Sequence, residues 1–172
     1  GECLPPADAD ESQLRQVVMN LILNAGEAVG DRPGTVHVST DALDFDPNTL
    51  SDSSARKLMV AGLYLRLRVA DTGHGMTADV KARIFDPFFT TKFTGRGLGL
   101  AAVYGIVRGH HGAILVDSEP GRGTEFTVLL PASAETPGPS RAGDTDHGSA
   151  SAATPVTPSH GRLALVVDDE PD

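Results

Sequence analysis

The sequence predicts a two-layer α/β sandwich, a mixed sheet with helices packed on one face. Three observations predict it. Residues 14–29 carry an amphipathic helical pattern, helical spacing resumes over Leu100–Arg108, and alternating apolar runs end at Asp71 or flank the PGRG turn at Pro120–Gly123.

Asp10 and Gln13 have capping-box spacing ahead of LRQVVMNLILNAGEAV, where Leu14, Val17, Val18, Leu21, Ala25 and Ala28 recur at helical intervals. At about 100° per residue these form one stripe, and Asn20, Asn24 and Glu27 fall within roughly 60° of one another on its flank. Gly30 and the Asp31–Gly34 run end the helix, TVHVST reads as a short strand, and the polar stretch Asp41–Lys57 reads as loop. Leu63, Leu65, Leu67 and Val69 then alternate with Tyr64, Arg66, Arg68 and Ala70, a half-buried strand ending at Asp71. A short helix is expected from Thr77 to Ile84, closed by Pro87. Four of the six phenylalanines lie between Phe85 and Thr94, and core packing is expected for at least two of them. AILVDSE and TEFTVLL complete the sheet as a hairpin.

The chemistry concentrates between Val69 and Leu100, where VADTGHGM, IFDPFFTTK and FTGRGLGL follow one another. A strand tip would present Asp71, Gly73 and Gly75 would let backbone approach a flat ligand, and Gly95, Gly97 and Gly99 would expose amides to phosphate. One ligand with both a base and phosphates, under a separate mobile cover, fits this order.

Composition narrows the partners. The 172-residue chain has 40% hydrophobic residues, ample for a core, and a formal net charge of -9. Residues 1–130 carry 12 basic and 16 acidic side chains, and residues 131–172 carry 2 and 7, so neither part has the charge of a nucleic-acid binder. An anionic ligand must then be held by local amides, local cations or a metal. Cys3 is the only cysteine, which excludes an internal disulfide and a multi-thiolate metal site and favours a reducing, cytoplasmic setting. No run reaches the roughly 20 apolar residues of a membrane helix, and GECLPPADAD has no signal-peptide pattern. The absence of an initiator Met suggests a piece of a longer chain.

Residues 1–131 form the expected folded domain. Residues 132–161 have no aromatic residue and only Val156 among large aliphatics, so they read as a flexible linker. LALVVDDEPD, within 162–172, reads as the first strand of another domain, whose tip, with Asp168, Asp169 and Glu170, would bind a divalent cation.

These motifs resemble the catalytic ATP-binding domain of bacterial sensor histidine kinases, in the wider superfamily that includes DNA gyrase and MutL. NLILNAGEA is similar to its N box, VADTGHGM to its first glycine box, IFDPFFTTK to its phenylalanine box and FTGRGLGL to its second glycine box. GRGTEFTVLLP resembles the closing hairpin, and LALVVDDEPD the opening of a receiver domain, as in hybrid kinases. The resemblance implies the Bergerat-type ATP-binding fold and Mg-ATP as ligand. Asp71 would accept a hydrogen bond from the adenine exocyclic amine, a contact guanine loses. Gly73 and Gly75 would shape the wall beside the base. Asn24, with Asn20 nearby, would hold Mg²⁺ through carbonyl oxygen, and Gly95, Gly97, Leu98 and Gly99 would wrap the phosphates at a helix N-terminus. Lys92 and Arg96 would be phosphate cations or solvent-exposed charges. Glu27 stands where many relatives carry a base that reaches phosphate; it would order a water near the metal or be a plain surface carboxylate.

The implied reaction transfers the γ-phosphoryl group to a histidine on a dimerisation domain, in a homodimeric parent kinase, and onward to a receiver domain in cis or a response regulator. None of His37, His74, His110, His111, His147 and His160 has the acceptor pattern, so no substrate is expected in cis. Neither direct nucleic-acid binding nor membrane contact is expected of these residues. Two alternatives remain at this point: a noncatalytic ATP-binding regulatory module, and a dinucleotide-binding oxidoreductase, because Gly97–Ala102 also satisfies G-x-G-x-x-A.

Overall fold

A computed structural model describes residues 4–46, 59–92 and 96–133, and the backbone of 163–168. Helix α1 runs Glu11–Val29, strand β1 Gly34–Phe45, β2 Gly62–Asp71, helix α2 Ala78–Lys81, α3 Gly99–Gly109, β3 Ala113–Glu119, β4 Gly123–Pro131 and β5 Leu163–Asp168. The sheet has the order β3-β4-β2-β1-β5, antiparallel except for β1 with β5. The mixed α/β sandwich expected from the sequence is the fold that forms.

Asp10 caps α1 by accepting the Gln13 amide at 2.9 Å, as the capping-box spacing predicts. The return bond has a different partner. The Asp10 amide donates to His110 Nε2 at 3.0 Å while His110 Nδ1 bonds the Ile106 carbonyl at 2.8 Å, so the start of α1 is tied to the end of α3. Val17, Leu21, Ala25 and Val29 form the buried stripe of α1. They pack with Val103 and Val107 of α3 on Val36, Val38, Val69, Phe126, Val128 and Leu130 of the sheet.

The opposite face is not uniformly polar. Phe45, Met59, Tyr64, Ala113 and Leu129 make a second buried cluster there, with the Phe45 and Tyr64 rings edge to face at 5.3 Å. Beside it Arg66 binds both carboxylate oxygens of Asp41, its partner across the strand pair, with Nε to Oδ1 at 2.7 Å. These contacts correct the expectation of loop from Asp41: β1 continues through Phe45 because Asp41 gains a charge-paired partner and Phe45 a buried one. Residues 47–57 of that stretch lie outside the described residues.

Helix α2 is also shorter than the expected Thr77–Ile84. Thr77 caps it and the chain passes into turns after Lys81, so Ile84 is buried from a turn and not from a helix. Phe85 and Phe89 pack against the main core, Phe85 against the Tyr104 ring at 5.3 Å and Phe89 under the Arg83 guanidinium at 4.4 Å. Phe88 is exposed, with φ +67°, and Phe93 lies outside the described residues.

Strand β5 forms where LALVVD predicts a strand, parallel to β1, with Gly34 opposite Leu163 and Ser39 opposite Asp168. Asp169 and residues 134–162 lie outside the described residues. At the other end of β4, an isolated bridge pairs Ala7 with Ala132, and the Ser133 amide donates to the Pro6 carbonyl at 2.7 Å. Among the described residues, no helix is long and apolar enough to cross a membrane.

Candidate functional site

The end of β2 carries Asp71 to the helix-covered face, because Leu65, Leu67 and Val69 precede it there at intervals of two. Asp71 is 7% exposed, and its Oδ1 accepts the Gly73 amide at 2.8 Å. Burial raises its carboxyl above the ordinary value of 3.8, against the opposing pull of backbone hydrogen bonds from Gly73 and Thr124 and of His74.

The loop after Asp71 is fastened on several sides. The Thr72 amide donates to the Thr35 carbonyl at 3.1 Å, the His74 amide to the Ala28 carbonyl at 3.1 Å, and the Gly121 amide to the His74 carbonyl at 2.7 Å. Thus β1, the last turn of α1 and the β3–β4 turn all hold it. Gly75 has φ +65°, and a Cβ there would overlap the Glu119 carbonyl, so only glycine fits this crossing.

A cleft of about 490 Å³ opens beside Asp71, a size suited to a small molecule. Met76, Val80, Ile84, Phe89, Leu100 and Phe126 give it apolar walls. Asn24, Gly75, Lys92, Arg96, Gly97, Leu98 and Gly99 line the same cleft, so eight of the sequence-predicted positions, Asp71 included, converge on it. Gly73 is not in the lining; its amide fixes the Asp71 carboxylate. Asn20 is not in the lining either. Its Nδ2 donates to the Gly99 carbonyl at 3.3 Å and so fastens the start of α3 to α1. Gly95 lies outside the described residues.

Leu98 caps α3 without a side-chain hydrogen bond, leaving the first amides of that helix to water or a ligand. Gly97, just before, has φ +65° and lies against the phenylalanine segment, whose Phe88 amide donates to the Gly97 carbonyl at 2.9 Å. The Lys92 ammonium donates to Asn24 Oδ1 at 3.2 Å and pairs with the Glu27 carboxylate. Among the described residues there is no group of three His, Cys, Asp or Glu side chains able to hold a metal by themselves. A divalent cation here would draw on the neutral Asn24 oxygen, water and the nearby Glu27 carboxylate, joined by ligand phosphates, a donor set that suits Mg²⁺.

Sequence reasoning missed the apolar walls and His74. Phe126 faces the cleft by the alternation of β4, a signal readable in the sequence, whereas Met76, Val80 and Ile84 reach it from the short helix α2 and the chain on either side of it. His74 lines the cleft with Nδ1 bonded to the Gly75 carbonyl at 2.7 Å, and no periodicity marks it.

The sheet offers no parallel strand–helix–strand unit around Gly97–Ala102 among the described residues. The described residues 82–92 before those glycines are turns and irregular chain, and β3 runs antiparallel to its neighbour β4, which removes the basis for a dinucleotide-binding unit. Residues 9–134 match the family of histidine kinase-, DNA gyrase B-, and HSP90-like ATPases. The chain belongs to that family.

Within this ATPase family, the chain is 45% identical over 131 residues to the sensory histidine kinase/phosphatase NtrB of Rhizobium meliloti (strain 1021), covering 76% of the chain and 33% of that protein. It is 41% identical over 130 residues to the sensor histidine kinase ZraS of Escherichia coli (strain K12), covering 76% of the chain and 24% of that protein. The chain therefore spans about a third or less of these curated relatives. Among solved structures, the nucleotide-free catalytic domain of histidine kinase ThkA aligns with a TM-score of 0.54 and 30% identity over 72% of this chain and 69% of that one. Full-length ShkA in complex with AMPPNP aligns with a TM-score of 0.57 and 34% identity over 77% and 24% of the two chains. The fold is that of histidine kinase catalytic domains.

Proposed function

We propose that this domain binds Mg-ATP and donates the γ-phosphoryl group to a histidine on a separate dimerisation domain, in two-component signal transduction. The observation that carries the proposal is a single buried carboxylate, Asp71, in a cleft with apolar walls that is also lined by Lys92, Arg96 and the uncapped start of α3. An adenine ring suits the walls and can donate its amine to Asp71. The triphosphate suits the cations and the amides of Leu98–Leu100. AMPPNP, named with ShkA, is an ATP analogue and agrees with this ligand class.

Asn24 would hold Mg²⁺ through Oδ1, the oxygen already turned to a cationic group, the Lys92 ammonium. Mg²⁺ would neutralise charge on the transferring phosphoryl group. Asn20, bonded to Gly99, would act by setting the helix start against the phosphates and not as a direct ligand. In the transfer, a histidine ring nitrogen of the partner domain forms a bond to the γ-phosphorus as the bond to the β,γ-bridging oxygen breaks, leaving ADP. This chain's residues position and neutralise; the acceptor comes from elsewhere. Residues 132–161 would then link the domain to a receiver domain opening at 162–172, with Asp168 and Asp169 as its acidic pair, in the cytoplasm.

The test combines equilibrium binding with a transfer assay. ATP should bind and NAD should not, and γ-labelled ATP should leave no stable label on this chain alone. Label should appear on the histidine of the parent kinase's dimerisation helices when these are added in trans. ATP binding without transfer to those helices would make the domain a noncatalytic module, and NAD binding in place of ATP would overturn the ligand class.

A further inference from the structure

The cluster of Asn24, Glu27 and Lys92 does more than the assigned contacts require. Asn24 and Glu27 are three residues apart on the cleft-facing flank of α1, and both direct oxygen at one ammonium, 68 and 65 residues away in sequence. An isolated Glu–Lys pair of this exposure would contribute little. The neutral Asn24 oxygen changes its meaning, because it makes a small cation site of two oxygens on the cleft wall.

Glu27 is otherwise misplaced for a triphosphate site, since a bare carboxylate repels phosphate. Its position is tolerable when a cation always stands between the two. Resting on the ATP reading above, we propose that Lys92 and Mg²⁺ exchange at this site. Before nucleotide arrives, the ammonium neutralises Glu27 and engages Asn24. Mg²⁺, entering alone or with ATP, would take the Asn24 oxygen and the field of Glu27, with the carboxylate acting directly or through a water. Two cations cannot share that oxygen without strong repulsion, so Lys92 leaves and its charge is released toward the polyphosphate. Glu27 is thereby a metal-positioning residue, and Lys92 the built-in counter-ion that the metal displaces.

The exchange predicts opposite effects from two side chains, Glu27 exposed and Lys92 half-buried, that belong to neither core. Mn²⁺ binding to the 172-residue chain without nucleotide, followed by electron paramagnetic resonance, should strengthen about fivefold in Lys92→Met and weaken about fivefold in Glu27→Gln. The Mg²⁺ concentration that half-saturates binding of a fluorescent ATP analogue should fall in Lys92→Met and rise in Glu27→Gln. Thermal melts report whether each variant is folded, and Glu27→Asp should restore part of the metal affinity if the carboxylate is what matters. Equal Mn²⁺ affinity in all three proteins, or weaker binding in Lys92→Met, overturns the exchange even where nucleotide binds normally. The predicted Mn²⁺ order with no nucleotide binding at any Mg²⁺ concentration supports the exchange and sinks the ATP reading instead.

Discussion

Asp71 combines burial with a charge that the proposed ligand needs. Its carboxyl lies above 3.8 because burial disfavours the ionised form more than the Gly73 and Thr124 amides and His74 restore it. A raised folded-state value means that the folded chain takes up the proton more readily than the unfolded chain. The stability linked to Asp71 is therefore fully present below 3.8 and is lost as pH rises through its folded-state value. Asp71→Asn removes this burden, so its nucleotide-free stability at pH 7 should match or exceed that of the unaltered protein, within about 1 kcal/mol. Its ATP affinity should fall about 10–100-fold, the loss of a hydrogen bond to a charged acceptor. Thermal melts and nucleotide titrations across pH check both: the unaltered protein should lose affinity as acid protonates Asp71, and that part of the decline should vanish in the variant. A variant that melted far below the unaltered protein yet bound ATP equally would make Asp71 structural. The position of this residue was legible because strand alternation ends on it. The walls around it were less so, since Met76, Ile84 and Phe126 meet only after a loop and two strands bring distant segments together.

Among the elements, the junction between the phenylalanine segment and α3 depends on one residue type. A Cβ on Gly97 would lie 2.5 Å from the Phe88 carbonyl carbon and 2.6 Å from the Phe89 oxygen, at φ +65°. Neither atom can turn aside, because both are backbone. Gly97→Ala should cost about 1–3 kcal/mol and weaken ATP binding, since the start of α3 must shift away from the cleft. Gly105, in the middle of α3, meets nothing within 4 Å, so Gly105→Ala should stabilise by about 0.5–1 kcal/mol and leave affinity alone. Denaturant unfolding of the pair distinguishes a special backbone from a general glycine effect, and equal shifts in the two would refute the junction's role. The glycine spacing made Gly97 visible in the sequence, although the reason differs from phosphate approach alone: it also packs on its own chain. The length of β1 was not visible. Asp41 looks like a loop residue until Arg66, 25 positions later, stands across from it.

At the scale of the whole molecule, the two buried clusters lie between Val17 and Leu130, and the cleft is lined by residues from Asn24 to Phe126. The N-terminal segment closes on the end of β4 through the Ala7–Ala132 bridge and the Ser133–Pro6 bond. Nothing from beyond residue 133 lines the site among the described residues; β5 reaches only the β1 edge, along Gly34–Ser39. Two outcomes follow for a chain cut after Ser133. If residues 162–172 open a receiver domain, β5 belongs with partners of its own and its pairing with β1 contributes little. The shortened chain should then unfold in one cooperative transition at an unchanged midpoint and bind Mg-ATP within about twofold of the full chain. If β5 is instead a constitutive strand of this sheet, its loss uncovers the hydrogen-bonding edge of β1 beside Thr35, which holds Thr72 next to Asp71. The melting midpoint and the affinity should then fall together. Linker composition made the first outcome the expectation from sequence, while strand propensity alone could not say which sheet LALVVD joins, because an apolar parallel strand fits any open edge. Melting and titration of the shortened chain decide between them, and a joint fall would place the boundary of the ATP-binding domain beyond residue 168 and not at 131.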